Sequence, residues 1–287
     1  LIPKVEYLRF SDAREAADYV ASHAGGAAFL AGGTDVMVRM RAGKMKARSL
    51  ADISRIESLA GIRRTKQGIE IGAMTTIEEV RRSPDIQRRF QALWKASSAF
   101  AAWQVRNIAT LGGNLCNASP AADMAPPLMV FDARLETLGP HGRRSIPMDR
   151  FFAGPGRTVL RGGELLEKVF IPNRLGESDF LKLGRRRASA LAVVSVAVRL
   201  ATKGGRVSEA RVALGSVAPT PVRARNVERS LIGRVADERT FAKAAALVEK
   251  DIRPISDVRA GAEYRRDMAS IFVREALISA MGGGASS

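Results

Sequence analysis

Two glycine pairs, each reached from an apolar run and followed by a polar side chain, constrain this chain more than any other feature. They are Leu30-Ala31-Gly32-Gly33-Thr34-Asp35 and Thr110-Leu111-Gly112-Gly113-Asn114. Glycine lets a backbone take positive φ and approach a ligand closely, so consecutive amides can converge on an anion such as a pyrophosphate. Thr34 and Asn114 stand ready to add side-chain hydrogen bonds. A single Gly-Gly is more often an ordinary turn, and two copies shift that balance only in part. The better-known phosphate loops are absent: no strand leads into G-x-G-x-x-G, and no G-x-x-x-x-G-K-[ST] occurs. A dinucleotide bound here needs another scaffold.

The hydrophobic pattern places the first pair at the end of a strand. Ser11 is positioned to cap a helix running to about His23, with Ala13, Ala16, Ala17 and Val20 at helical spacing and Gly25-Gly26 as the stop. Ala27 to Leu30 then forms a short strand that delivers the chain into Gly32-Gly33. Ser49 to Ile53, Ile62 to Thr65 and Gly68 to Met74 read as strands, the last two joined by a turn at Lys66-Gln67. Thr76 and Glu79 have capping-box spacing and open a helical region, interrupted near Pro84, that runs towards Trp103. The second glycine pair lies beyond it, and Asn114 to Pro127 reads as an ordered loop crossing a site. Further strands are expected at Arg134 to Leu138 and Leu165 to Ile171, with a turn at Phe151 to Gly156 and a domain boundary around residues 173 to 178. Leu191 to Leu200, Gly205 to Gly215 and three helical patterns, one of them Tyr264 to Met281, predict a small sheet with helices packed on it. Gly282 to Ser287 reads as a frayed tail.

Composition narrows the chemistry. Cys116 is the one cysteine, and His23 and His141 are the two histidines. An internal disulfide, a thiolate-ligated iron-sulfur cluster and a cysteine-rich zinc site therefore fall away. Cys116 reads as a buried, inert thiol near the second glycine pair, and His141 as a turn residue. The chain carries 46 Lys and Arg against 29 Asp and Glu, a formal charge of +17. Such a balance suits nucleic acid, acidic protein partners or an anionic cofactor. The arginines are spread along the chain without interleaved aromatics, so a solvated basic surface is the better reading than nucleic-acid binding. No apolar stretch approaches the roughly 18 residues of a membrane span. Residues 1 to 5 lack the apolar core of a secretory signal, which makes cytoplasmic residence the default expectation and leaves an upstream segment open.

The residues around the two pairs carry a family resemblance. Phe29-Leu30-Ala31-Gly32-Gly33-Thr34-Asp35-Val36 is one part of it. The longer part runs from Gln104-Val105-Arg106-Asn107-Ile108-Ala109 through Thr110-Leu111-Gly112-Gly113-Asn114 to Ala118-Ser119-Pro120-Ala121-Ala122-Asp123. Together they resemble the FAD-binding medium subunit of the molybdenum hydroxylases, the carbon monoxide dehydrogenase and xanthine dehydrogenase family, over nearly the whole chain. The resemblance implies a two-subdomain FAD-binding fold of the vanillyl-alcohol-oxidase (PCMH) type over residues 1 to 175, with a subdomain boundary near 55 to 60. A small C-terminal α+β domain with an antiparallel sheet follows over 176 to 287, giving α/β plus α+β as the fold class.

The same resemblance implies FAD contacts at Phe29 to Val36, at Thr110 to Asn114, and at Phe100, Asp123, Leu166 and Lys182. Without it, Phe100 and Leu166 read as core residues, Asp123 as a helix cap and Lys182 as a solvated strand residue. It further implies an electron-transfer role without catalytic residues on this chain. Electrons would come from a small [2Fe-2S] subunit and leave to an external acceptor, while a large subunit holds molybdopterin and oxidises substrate. The expected assembly is a dimer of heterotrimers with two [2Fe-2S] centres outside this chain. The version with an extra cluster in this subunit, as in relatives of 4-hydroxybenzoyl-CoA reductase, is excluded by the single cysteine. A stand-alone FAD oxidoreductase and a basic nucleic-acid-binding protein remain the alternatives.

Overall fold

The computed structural model describes residues 4–174, 176–186 and 190–282. The expected tail lies outside the described residues from Gly283 onward, as do residues 1–3 and Arg187.

Three larger sheets and one two-stranded hairpin order the described residues. The first is parallel, with strand β1 (Glu6–Arg9), helix α1 (Ala13–Ser22), β2 (Ala27–Leu30), α2 (Val36–Arg41) and β3 (Ser49–Asp52), and β3 lies between the other two strands. Asp12, not Ser11, caps α1. Asp12 has the extended backbone a cap needs, and its carboxylate accepts from the Glu15 amide at 2.9 Å.

The second sheet begins with the hairpin β4 (Ile62–Arg64) and β5 (Gly68–Gly72). The expected broken helix is three helices, α3 (Ile77–Arg82), α4 (Pro84–Arg89) and α5 (Gln91–Ala99). Thr76 and Glu79 form the full capping box of α3, and Ser83 ends that helix and caps the next, whose first residue is Pro84. Then come α6 (Trp103–Arg106), α7 (Leu111–Cys116) and α8 (Ala125–Val130). The expected loop from Asn114 to Pro127 is therefore shorter at both ends. Asn114 continues α7, and Pro126-Pro127 sit in the first turn of α8, where a missing amide hydrogen costs nothing.

Strands β6 (Arg134–Gly139) and β7 (Gly142–Pro147) follow, then the small hairpin β8 (Phe152–Gly154) and β9 (Arg157–Thr158), and β10 (Leu165–Pro172). Strand β10 enters the middle of this antiparallel sheet, giving the order β4-β5-β10-β6-β7. It thereby carries Leu165 and Leu166 from late in the sequence to the site.

The C-terminal sheet is antiparallel in the order β11 (Glu177–Gly184), β12 (Ala192–Lys203), β13 (Arg206–Gly215) and β14 (Val222–Arg223). Helices α9 (Arg225–Leu231), α10 (Glu238–Ala245) and α11 (Ala262–Gly282) complete it. Residues 192–200 of β12 are all buried, and strand alternation explains why. Val194, Val196, Val198 and Leu200 join the core under α11, whereas Ala197 and its β13 partner Ala213 join the core of the preceding domain. Between these cores the fully buried Arg199 donates to the Val130 carbonyl at 3.0 Å. Arg174, Arg199, Arg211 and Arg223 all approach Asp132, at 3.2 to 3.9 Å, across the same junction.

Candidate functional site

A cleft of about 280 Å3 opens between the parallel sheet and the antiparallel one. The segment leaving β2 brings Phe29, Ala31, Gly32, Gly33, Thr34, Asp35 and Val36 to its wall, and Phe100, Thr110, Gly112, Gly113, Asn114 and Leu166 face them. Thirteen of the seventeen expected residues thus meet in one place. Leu30, Leu111, Asp123 and Lys182 do not line it. Leu111 is fully buried in the core, with its amide on the Thr75 carbonyl.

The two glycine pairs meet through the protein itself. A Cβ on Gly32 would lie 1.9 Å from the Ile108 carbonyl oxygen, so only glycine lets the first segment pack on the second. Gly33 has φ +73°. The pairs differ in what they offer a ligand. In the second, the Gly112 amide donates to the Ala73 carbonyl at 2.8 Å, Gly113 to the Thr110 hydroxyl at 3.0 Å and Asn114 to the Thr110 carbonyl at 3.0 Å. Its amides are therefore already taken, Gly112 by the residue after β5 and the other two by the Thr110 cap of α7, contrary to the expectation that both pairs present free donors. In the first, the amides of Gly32, Gly33 and Thr34 have no acceptor among the described residues. The second pair contributes instead Asn114, which lines the cleft and whose buried Oδ1 has no partner.

Around these polar groups the wall is apolar, from Phe29, Ile53, Met74, Phe100, Leu160, Leu165 and Leu166. A few convergent polar groups in an otherwise apolar cleft suit a ligand with a flat apolar ring and an anionic end. Cys116 also lines the cleft. The residue is only partly covered, but desolvation of its thiol pushes it up to about 12, so at neutral pH the sulfur is protonated and inert.

Asp123 and Lys182 form a buried ion pair at 2.6 Å beside the Phe100 wall. Strand β11 aims Lys182 at the preceding domain, where its ammonium also donates to the Ala99 carbonyl at 3.1 Å. Burial pushes the Asp123 carboxyl up to about 6 against the pull of Lys182. Asp123 Oδ1 is buried without a partner. On the other side of Phe100, Arg106 donates to the Phe100 and Ala101 carbonyls at 2.9 and 3.2 Å while pairing with buried Glu78 at 3.1 Å. Three successive carbonyls next to the cleft are therefore held by cations anchored on buried carboxylates.

The Gly32–Thr34 donors, the unpartnered Asn114 acceptor and the apolar wall together fit a flavin dinucleotide. The FAD binding domain of molybdopterin dehydrogenases matches residues 3–174, and the CO dehydrogenase flavoprotein C-terminal domain matches residues 179–280. The chain belongs to the molybdopterin dehydrogenase FAD-binding family. Within that family it is 33% identical to a putative xanthine dehydrogenase FAD-binding subunit of Escherichia coli, over 90% of each chain. It is 31% identical to the carbon monoxide dehydrogenase medium chain of Hydrogenophaga pseudoflava, over 97% of each. The solved structure of carbon monoxide dehydrogenase from Hydrogenophaga pseudoflava lacking the Mo-pyranopterin moiety superposes with a TM-score of 0.95, at 32% identity, over 98% of this chain and 99% of that one. Quinoline 2-oxidoreductase from Pseudomonas putida gives a TM-score of 0.93 at 28% identity, over 99% of each chain. This member of the FAD-binding family is thus a flavoprotein subunit of an oxidoreductase.

Several lining residues had no signal in the sequence. Leu160, Glu164 and Leu165 reach the cleft because β10 is central in its sheet, and Ala73 and Met74 because β5 lies beside it. Arg39 and Met45 lie in a stretch after the first glycine pair that holds five basic residues and no acidic one.

Proposed function

We propose that the chain carries FAD in this cleft and relays electrons within a molybdenum-dependent hydroxylase or dehydrogenase. It receives them from a small [2Fe-2S] subunit and passes them to an external acceptor, while a large molybdopterin subunit oxidises the organic substrate. A dimer of heterotrimers in the cytoplasm is the assembly we expect. The observation that carries this reading is the make-up of the cleft, with three free amides and one unpartnered acceptor set in an apolar wall. Bound FAD supplies the capacity to take one or two electrons.

The chain's own residues bind and orient. The Gly32–Thr34 amides hold the diphosphate, and Phe100 and Leu166 press on the ring system and exclude water. Asn114 accepts a ligand hydrogen bond through Oδ1. Asp123 and Lys182 fix the Ala99–Phe100 segment from the C-terminal domain and set the charge beside it. Electron relay asks for no nucleophile and no general acid, which agrees with an inert Cys116 thiol.

Purification of the full chain tests the reading. We expect a yellow protein with one FAD per chain, no turnover of organic substrates alone, and flavin reduction by substrate only when molybdenum and iron-sulfur subunits are present. Turnover by the isolated chain would make it a stand-alone oxidoreductase. A colourless chain that binds duplex DNA with steep salt dependence would defeat the flavin reading.

A further inference from the structure

Many cations elsewhere in the molecule are tied to carboxylates: Arg81, Arg82 and Arg106 to Glu78, Arg144 to Glu164, and four arginines around Asp132. One stretch departs from this. Between Val36 and Ala51 the sequence has Arg39, Arg41, Lys44, Lys46 and Arg48 and no acidic residue. All five are exposed, and none forms an ion pair with a described carboxylate, although the charge of Arg39 reaches Asp35. Such a concentration of like charge is unfavourable by itself, so its position matters. The stretch runs along one wall of the cleft, which Val36, Arg39 and Met45 line together with the free-amide segment Gly32–Thr34.

We infer that Arg39 is the cationic partner of the cofactor's diphosphate, and that Arg41, Lys44, Lys46 and Arg48 form a collar that draws the dianion into the cleft. This rests on the flavin reading above and deepens it: the cleft selects its ligand by the diphosphate as well as by the ring. Neutral amides orient a phosphate, and a guanidinium adds the charge and a paired donor set. The four outlying cations are too exposed to make tight contacts. They act at range, within the roughly 10 Å over which charge is felt at 0.1 M salt.

The test titrates the full chain, freed of flavin, with FAD, ADP and riboflavin at rising salt, in the wild type, in Arg39→Gln and in a Lys44→Gln/Lys46→Gln double variant. Arg39→Gln is expected to weaken FAD and ADP by about tenfold and leave riboflavin unchanged. The double variant is expected to flatten the salt dependence of FAD association while keeping riboflavin affinity. Equal losses for riboflavin and FAD, or no loss for ADP, would overturn the assignment. A wild-type chain that takes up ADP through Arg39 but no flavin would keep the anion site and refute the flavin reading. A chain that binds neither would refute both.

Discussion

Gly32 and Gly113 illustrate two different reasons for a glycine at a site. At Gly32 the obstacle to a side chain is the Ile108 backbone, 1.9 Å from where a Cβ would stand. Gly32→Ala should therefore lower the stability of the fold by roughly 2–4 kcal/mol, read in urea unfolding of the flavin-free chain. A variant as stable as the parent would mean that the two segments are not in contact. At Gly113 a Cβ meets only the Thr110 hydroxyl, at 2.9 Å. Gly113→Val should cost FAD retention more than it costs the C-terminal domain, and unchanged FAD occupancy would remove Gly113 from the site. Asp123 makes a prediction in pH. Its folded-state carboxyl is raised to about 6, above the ordinary value of 3.8, so the folded chain binds the extra proton between those values. Its contribution to stability is then present below about pH 4 and lost as pH rises through 6, by up to about 2–3 kcal/mol. Asp123→Asn should lack that slope, and parallel stability profiles for the two proteins would refute it.

Helix α3 shows how elements hold the cleft. Its buried Glu78 takes hydrogen bonds from Arg81, Arg106 and Arg82 and is held down to about 2, with Arg81 the largest cause and burial opposing. Here the sign is reversed from Asp123. The stabilisation is complete above the ordinary 4.5 and disappears as pH falls towards 2, amounting to about 2–3 kcal/mol. Because Arg106 also carries the Phe100 and Ala101 carbonyls, Glu78→Gln should loosen α6 and the Phe100 segment first. Faster amide exchange confined to residues 99–108 is the expected signature, and uniform exchange would count against it. The capping box, the Lys66-Gln67 turn and the strand periods were local enough to be read from the chain. The capping of α1 was not, because Ser11 and Asp12 are both good caps and only backbone geometry chooses between them. Helix α7 was hidden because Gly112-Gly113 reads as a turn. Gly112 is tolerated in this helix because its close packing on Ala73 needs the missing side chain.

The whole molecule is joined at Asp132, where four arginines from the C-terminal domain and its approach converge, and at β12, whose two faces belong to two cores. Asp132→Ala would leave these cations against one another across the junction, and a loss of about 2–4 kcal/mol is expected. Calorimetry should then resolve two unfolding transitions, and a single transition at the parent temperature would show that the junction is held by β12 alone. The amino-acid sequence determined most strands and helices, since hydrophobic period and turn chemistry are local properties. Through its motifs it also determined the family and its flavin. Only the tertiary structure decided which glycine amides are free, that Asp123 and Lys182 form a buried pair beside the cleft, and that Leu160, Glu164 and Leu165 line it. Those outcomes depend on which acceptors lie across the gap once sheets have packed, and no spacing along the chain encodes that distance. The glycine pairs look alike in sequence, and they part company because one meets the Ala73 and Thr110 oxygens and the other meets open cleft.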